Sequence, residues 1–294
     1  VLREGLNELQ HGSTVLDLVW SSGLPETPRP TPAPRNYLSG IQWWIVRQDP
    51  SDPDAVAVAA KGGTMAESHN HADLGAFTYH VNGESLIADL GDCTYNTGYF
   101  SEGRYSFLNP RSLGHSVPYV RGAEQIPTAW RDHEEGDADA EQGATVLDRT
   151  AGDDREAFEL DLVDAYPATP DLDSLRRRFE FDRTSGELSL TDTVVFGETD
   201  ADRWFESNLV SYYPMERTAD GFRVTGEESQ VEVTVSGDAG PERVWIEHLK
   251  DAVHTDYSVT PPEGEDVWRA RVGPVIGEDG EPAVELSISP ASGE

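Results

Sequence analysis

The chain has 294 residues and a formal charge of -33, and its 22 basic residues include only two lysines, Lys61 and Lys250. Such a surface repels nucleic acid and anionic membranes, which excludes both as partners. It suits high ionic strength, where self-repulsion is screened, and so points to a halophilic protein; a GC-rich genome is the other explanation for arginine over lysine.

Cys93 is the single cysteine, so no intramolecular disulfide forms and the redox compartment stays open. The chain as given shows neither an apolar run of about 18 residues nor a basic start followed by an apolar core, so no membrane span or signal peptide is expected within it. Its beginning, Val1-Leu2-Arg3, reads as a mature form or a fragment.

In chain order, Leu2, Leu6 and Leu9 share a face of a short helix within residues 1–20. Pro25, Pro28, Pro30, Pro32 and Pro34 then form an extended linker. Strands are expected over 40–47 and 55–59. The strongest hairpin joins 77–81 to 84–89 through Asn82-Gly83, because Asn-Gly accepts the positive φ angles of a type I′ turn. A second hairpin joins 176–182 to 187–192, with Arg176, Arg177 and Arg178 alternating faces and pairing with nearby acids. Further strands are expected near 157–165, 193–196, 204–213, 222–225, 230–235, 243–247, 267–272 and 283–289. Many short strands with turn signals between them predict an all-β fold, a large antiparallel β-sandwich over 37–294 after a helical remnant and linker over 1–36. The charged stretch 132–141 reads as a solvated loop, with calcium binding as its alternative.

The chemistry concentrates around His69, His71 and Asp73, with Asp89 on the next hairpin and His115 beyond it. Neutral imidazoles with a carboxylate and an open position suit a borderline divalent ion such as zinc. A geometric condition follows. Simple hairpin register sets Asp89 opposite Ala76 and turns His71 to the other face, so a shared ion requires a break between Asp73 and Ala76, with Gly75 its natural place.

The run from Lys61 to Phe77, KGGTMAESHNHADLGAF, the hairpin to Asp89-Leu90-Gly91, and Gly114-His115-Ser116-Val117 together resemble the heparinase II/III family of polysaccharide lyases and related alginate lyases. The resemblance spans roughly residues 37–125. It implies that His71, Asp89 and His115 hold a metal, usually zinc, and that His69 is a catalytic histidine. A loop tyrosine acts as base and acid in alginate-cleaving relatives; Tyr99 fits that position best and Tyr105 is the runner-up. Arg104, Arg111 and Arg121 surround this loop, with roles either in holding an acidic polymer or as ordinary surface arginines. Two departures stand against the family pattern: Ser116 follows His115 where asparagine is common, and the complete enzymes place an α/α-toroid before the sandwich.

Two functions follow as expectations. The first is the C-terminal sandwich of a lyase that cleaves uronic-acid-containing polysaccharide by β-elimination, together with an N-terminal toroid domain or chain. The alternative is a metal-stabilised carbohydrate-binding or structural module without catalysis. The resemblance favours a secreted or periplasmic location. His11, His80, His133, His248 and His254 lack ligand spacing and read as structural or surface residues.

Overall fold

Apolar and polar residues alternate in many segments of the chain, and the computed structural model answers that pattern with antiparallel strands, several of which, such as Leu172–Asp182 and Glu187–Phe196, bury one face. The structure describes residues 31–66, 70–91, 98–99, 103–125, 143–253, 265–276 and 281–291. The helix expected within 1–20, the charged stretch 132–141, Cys93, His69, His133 and His254 lie outside the described residues.

The first sheet runs in order from β1 (Arg35–Leu38) through β2 (Trp43–Arg47), β3 (Ala57–Lys61) and β4 (Phe77–Val81) to β5 (Glu84–Ile87). The short β6 (Pro118–Val120) follows. Next come β7 (Thr145–Ala151), β8 (Arg155–Asp161), β9 (Leu172–Asp182), β10 (Glu187–Phe196), β11 (Trp204–Ser211), β12 (Met215–Arg217), β13 (Gly221–Thr225), β14 (Gln230–Gly237), β15 (Val244–Val253), β16 (Glu265–Ile276) and β17 (Ala283–Pro290). Eight of them form a second sheet in the order β12-β13-β14-β17-β10-β9-β8-β7, and four form a third, β15-β16-β11-β6. The result is an all-β sandwich, as its sequence predicts.

Aromatic rings join the first sheet to the second: Trp44 stacks on Phe158 with centroids 5.8 Å apart, and Phe77 meets Phe179 edge-on at 5.6 Å. The third sheet adds Phe205, Leu209, Val244, Ala270 and Val272 to the same apolar core. Each large side chain fully buried here contributes about 1.5–3 kcal/mol of hydrophobic stabilisation. The first and third sheets meet where the Ala88 amide donates to the Val210 carbonyl at 3.0 Å. Among the described residues no helix is long and apolar enough to cross a membrane.

The Asn82-Gly83 turn forms with positive φ at both residues, 52° and 80°. The hairpin below it departs from simple register. Tyr79 pairs with Ile87 while His80 pairs with Ser85, so β5 carries one extra residue and ends before Asp89. The expected pairing of Asp89 with Ala76 is therefore corrected. Strands β1, β6, β7 and β12 escape the sequence reading because each is short or has too weak an apolar alternation to register.

Glu84, at the root of this turn, fastens the first sheet to the second. Its carboxylate accepts the backbone N–H groups of Glu227 at 2.5 Å, Glu228 at 3.1 Å and Ser229 at 2.9 Å, and the Ser229 hydroxyl at 2.6 Å. Burial alone would raise its pKa, but these donors outweigh it and hold the group below the usual glutamate value. A depressed folded pKa means the stabilisation is fully present above the unfolded value of about 4.3 and disappears as pH falls through the folded one. Glu84→Gln swaps a pure acceptor for a group that also presents N–H to these donors, and is expected to cost about 1–3 kcal/mol at pH 7. Urea denaturation of both proteins should show that difference shrinking below pH 4; a constant difference would disprove the account.

Candidate metal centre

The site is built by two irregular segments that the sheets hold in place. The first, residues 70–76, lies between β3 and β4 and turns just before β4 begins. Leu74 and Gly75 form this turn, with Gly75 at φ +83°, so the predicted break between Asp73 and Ala76 is present. A Cβ at Gly75 would come 2.7 Å from Leu162 Cδ1 and 3.3 Å from Arg177 Cδ, so close packing and positive φ both call for glycine there. The second segment runs from Ser112–Gly114, one turn of 3-10 helix, through His115 to β6.

Hydrogen bonds lock the two segments together. The Ala72 amide donates to the Pro110 carbonyl at 2.8 Å, and the Ser112 hydroxyl donates to the Ala72 carbonyl at 2.8 Å. The Gln125 amide side chain reads both backbone groups of Leu74, accepting its N–H at 2.8 Å and donating to its carbonyl at 2.9 Å. Asn208 on β11 donates to the His115 carbonyl at 2.7 Å.

This framework brings ligand atoms of His71, Asp73 and His115 within 4.8 Å of one another, and the two imidazole rings lie 5.3 Å apart. The His115 side chain is fully buried, and among the described residues neither ring nitrogen has a hydrogen-bond partner. Its Nδ1 faces Asp89 Oδ2 at 3.4 Å without hydrogen-bond geometry. Asp89 Oδ1 accepts the Gly91 amide at 2.7 Å, and the Asp89 side chain is 41% exposed. Asp73 is engaged differently: Lys61 Nζ sits 2.9 and 3.1 Å from its two oxygens.

Electrostatics divides the two histidines. Burial, reinforced by the neighbouring His115, pushes His71 down to about 4, so it is a neutral Lewis base at ordinary pH. Burial also opposes charge on His115, but the Asp89 carboxylate outweighs it and holds this pKa above the ordinary histidine value. Asp89 itself is drawn well below the usual carboxylate range: partial loss of surrounding water opposes this, and the His115 charge and the Gly91 amide overcome it.

The expected tyrosines separate. Tyr99 is buried with its hydroxyl 3.0 Å from His71 Nε2, edge-on to Phe107 and beneath the Arg104 guanidinium, 4.3 Å from its ring centre. Tyr105 is half-buried and packs against the main core. Of the arginines expected either to hold an acidic polymer or to be ordinary surface groups, each is engaged by the protein itself, and Arg104 is not a surface group. Arg104 is buried and donates to the Asn70 carbonyl at 2.7 Å, Arg111 pairs with Glu124, and Arg121 pairs with Asp171. Sequence reading also missed the roles of Lys61, whose only signal was its proximity to the histidine motif, and of Gln125, which lies far along the chain from Leu74 and had none.

A model of the heparinase II/III-like C-terminal domain matches residues 30–287. The chain belongs to this family. A search of curated proteins found no match. Among solved structures, this heparinase II/III-like chain is similar to a heparan sulfate lyase from Pedobacter heparinus, with TM-score 0.65 and 12% identity over 96% of this chain and 42% of that one. It is also similar to a heparinase III, with TM-score 0.62 and 14% identity over 90% of this chain and 38% of that one. These likenesses are of fold. The chain spans about two fifths of the length of these relatives.

Proposed function

We propose that this chain is the C-terminal β-sandwich of a polysaccharide lyase that cleaves uronic-acid-containing polysaccharide by β-elimination. The observation that carries the metal half of this reading is His115, a fully buried imidazole that makes no side-chain hydrogen bond among the described residues, has only Asp89 Oδ2 at 3.4 Å from its Nδ1, and stands beside a second imidazole and two carboxylates. Buried polar atoms left unpaired cost on the order of 1–3 kcal/mol each, so such an arrangement needs a bound partner. The donor set fits a divalent ion, zinc first. His71, Asp89 and His115 would hold it. Asp73 stands close enough to serve, but Lys61 already occupies both of its oxygens. When bound, the ion supplies a fixed positive charge beside the acidic substrate.

In β-elimination the C5–H and C4–O bonds break, a C4–C5 double bond forms, and the departing O4 takes up a proton. Tyr99 is assigned the proton transfers, taking the C5 proton and returning one to O4, with Tyr105 as the runner-up. His69 is assigned to the substrate carboxylate, whose neutralisation makes C5 acidic enough to lose its proton. With the ion on its other ring nitrogen, neutral His71 would donate its Nε2–H to the Tyr99 oxygen, 3.0 Å away, and orient it. The rest of the cleft would come from an N-terminal α/α-toroid domain or chain, and the family resemblance supports a secreted or periplasmic setting for the whole protein.

A second reading, a carbohydrate-binding module that keeps the metal for stability, is favoured by the burial of Tyr99, which is 1% exposed. For Tyr99 to touch sugar, the loop carrying it has to open. Metal analysis tests the ion shared by both readings. The wild-type chain should hold a stoichiometric divalent ion that His71→Ala and Asp89→Asn lose, and equal content in all three proteins would refute the ligand set. Absorbance of unsaturated uronate, after incubating the complete protein with heparan sulfate, heparin, alginate and hyaluronan, separates lyase from binding module.

A further inference from the structure

Position 177 faces inward on β9, in line with Leu175, Phe179 and Phe181, all buried. An arginine there is anomalous, because removing a charge from water is costly unless it is paired and hydrogen-bonded. Arg177 and Asp192, directly opposite on β10, are both 0% exposed. Nε and Nη2 donate to the two Asp192 oxygens at 2.7 Å each, and the Ser207 hydroxyl on β11 donates to the same carboxylate at 2.5 Å.

The remaining nitrogen, Nη1, points away from Asp192. It donates to the Gly75 carbonyl at 2.9 Å and to the Ser116 carbonyl at 2.5 Å. Those carbonyls lie on the two irregular segments that carry the site: Gly75 follows Asp73 in the turn after His71, and Ser116 follows His115. One planar guanidinium, itself fixed by a carboxylate, thus spans the gap between the two ligand-bearing segments. Lysine could not do this, since an ammonium lacks the fork that grips Asp192 and both carbonyls together.

We propose that the Arg177–Asp192 pair is a positioning clamp for the metal centre, setting the spacing of His71 and His115 through the Gly75 and Ser116 carbonyls. The proposal rests on the metal reading above and goes beyond it by assigning residues that touch no ligand atom. Its test is zinc affinity by competition with a chromophoric chelator, alongside apo-protein melting and the visible spectrum of the cobalt-substituted protein. Arg177→Lys and the charge-free double variant Arg177→Met/Asp192→Leu should bind zinc roughly 10–100-fold more weakly, the range typical when groups supporting metal ligands are lost. Their cobalt spectra should shift, because ligand spacing has changed.

Val231→Ala, a core truncation on β14, serves as the control for general destabilisation and should melt lower with unchanged zinc affinity and spectrum. Unaltered affinity and spectrum in the Arg177 variants would overturn the clamp while leaving the metal site standing. A wild type that binds neither ion removes the metal reading and this proposal with it. If no Arg177 variant folds, the pair belongs to the fold rather than to the site, and the proposal fails.

Discussion

Arg177→Ala is expected to lower the unfolding free energy by about 3–5 kcal/mol, the cost of leaving a buried charge without its partner. The truncation strands the Asp192 carboxylate in the core with only the Ser207 hydroxyl, and it also removes the donor from the Gly75 and Ser116 carbonyls. The neighbouring Arg178 supplies the comparison. It pairs with Asp148, Glu159 and Glu180, but its side chain is 33% exposed, so solvent screens these contacts and Arg178→Ala should cost about 1 kcal/mol or less. Urea denaturation at constant salt measures both without altering the ionic strength around a chain of charge -33. Arg177→Met/Asp192→Leu should return only part of the lost stability: it removes the stranded carboxylate, but the Gly75 and Ser116 carbonyls and the Ser207 hydroxyl still lose their partners. Equal costs for Arg177→Ala and Arg178→Ala would show that burial is not what makes the inner pair matter.

Tyr99→Phe in the complete protein should reduce the rate of unsaturated-uronate formation by about 10²–10⁴-fold, the usual contribution of a positioned proton-transfer group. Metal content should stay at the wild-type level, since the phenol is not assigned as a ligand, and KM should change much less than kcat. Tyr105→Phe should leave the rate nearly intact, because its ring packs against the core whereas the Tyr99 hydroxyl lies 3.0 Å from His71 Nε2. A large loss from Tyr105→Phe with little from Tyr99→Phe would exchange the two assignments. No product from the wild type on any uronate polymer would favour the binding-module reading.

The strands of the sandwich were legible where alternation was strong, as in 176–182 and 187–192, which appear as β9 and β10 with their inward residues buried. The Asn82-Gly83 turn was legible because its chemistry is local: two residues accept positive φ and the chain reverses. The bulge beneath it was not, since the extra residue on β5 is chosen by how Leu86 and Ile87 fill the core. The break at Gly75 lay between these cases. It was anticipated as a condition for a shared site, and a left-handed turn packed against Leu162 and Arg177 meets that condition.

By itself the sequence determined the all-β class, the family, and the cluster of histidines and aspartates around which a metal reading can be made, because these depend on local periodicity and on an ordered motif. The tertiary structure alone decided how that motif is used. It gathered ligand atoms of His71, Asp73 and His115, paired Asp73 with Lys61, placed Asp89 beside His115, set Tyr99 against His71 and engaged Arg104, Arg111 and Arg121. It also converted the middle member of an arginine triplet into a buried link between β9, β10 and both arms of the site. The reason is physical: side-chain type and spacing along the chain fix which groups are available, whereas burial and hydrogen-bond satisfaction, settled by residues as distant in sequence as Gly75 and Arg177, fix which of them remain free for a ligand.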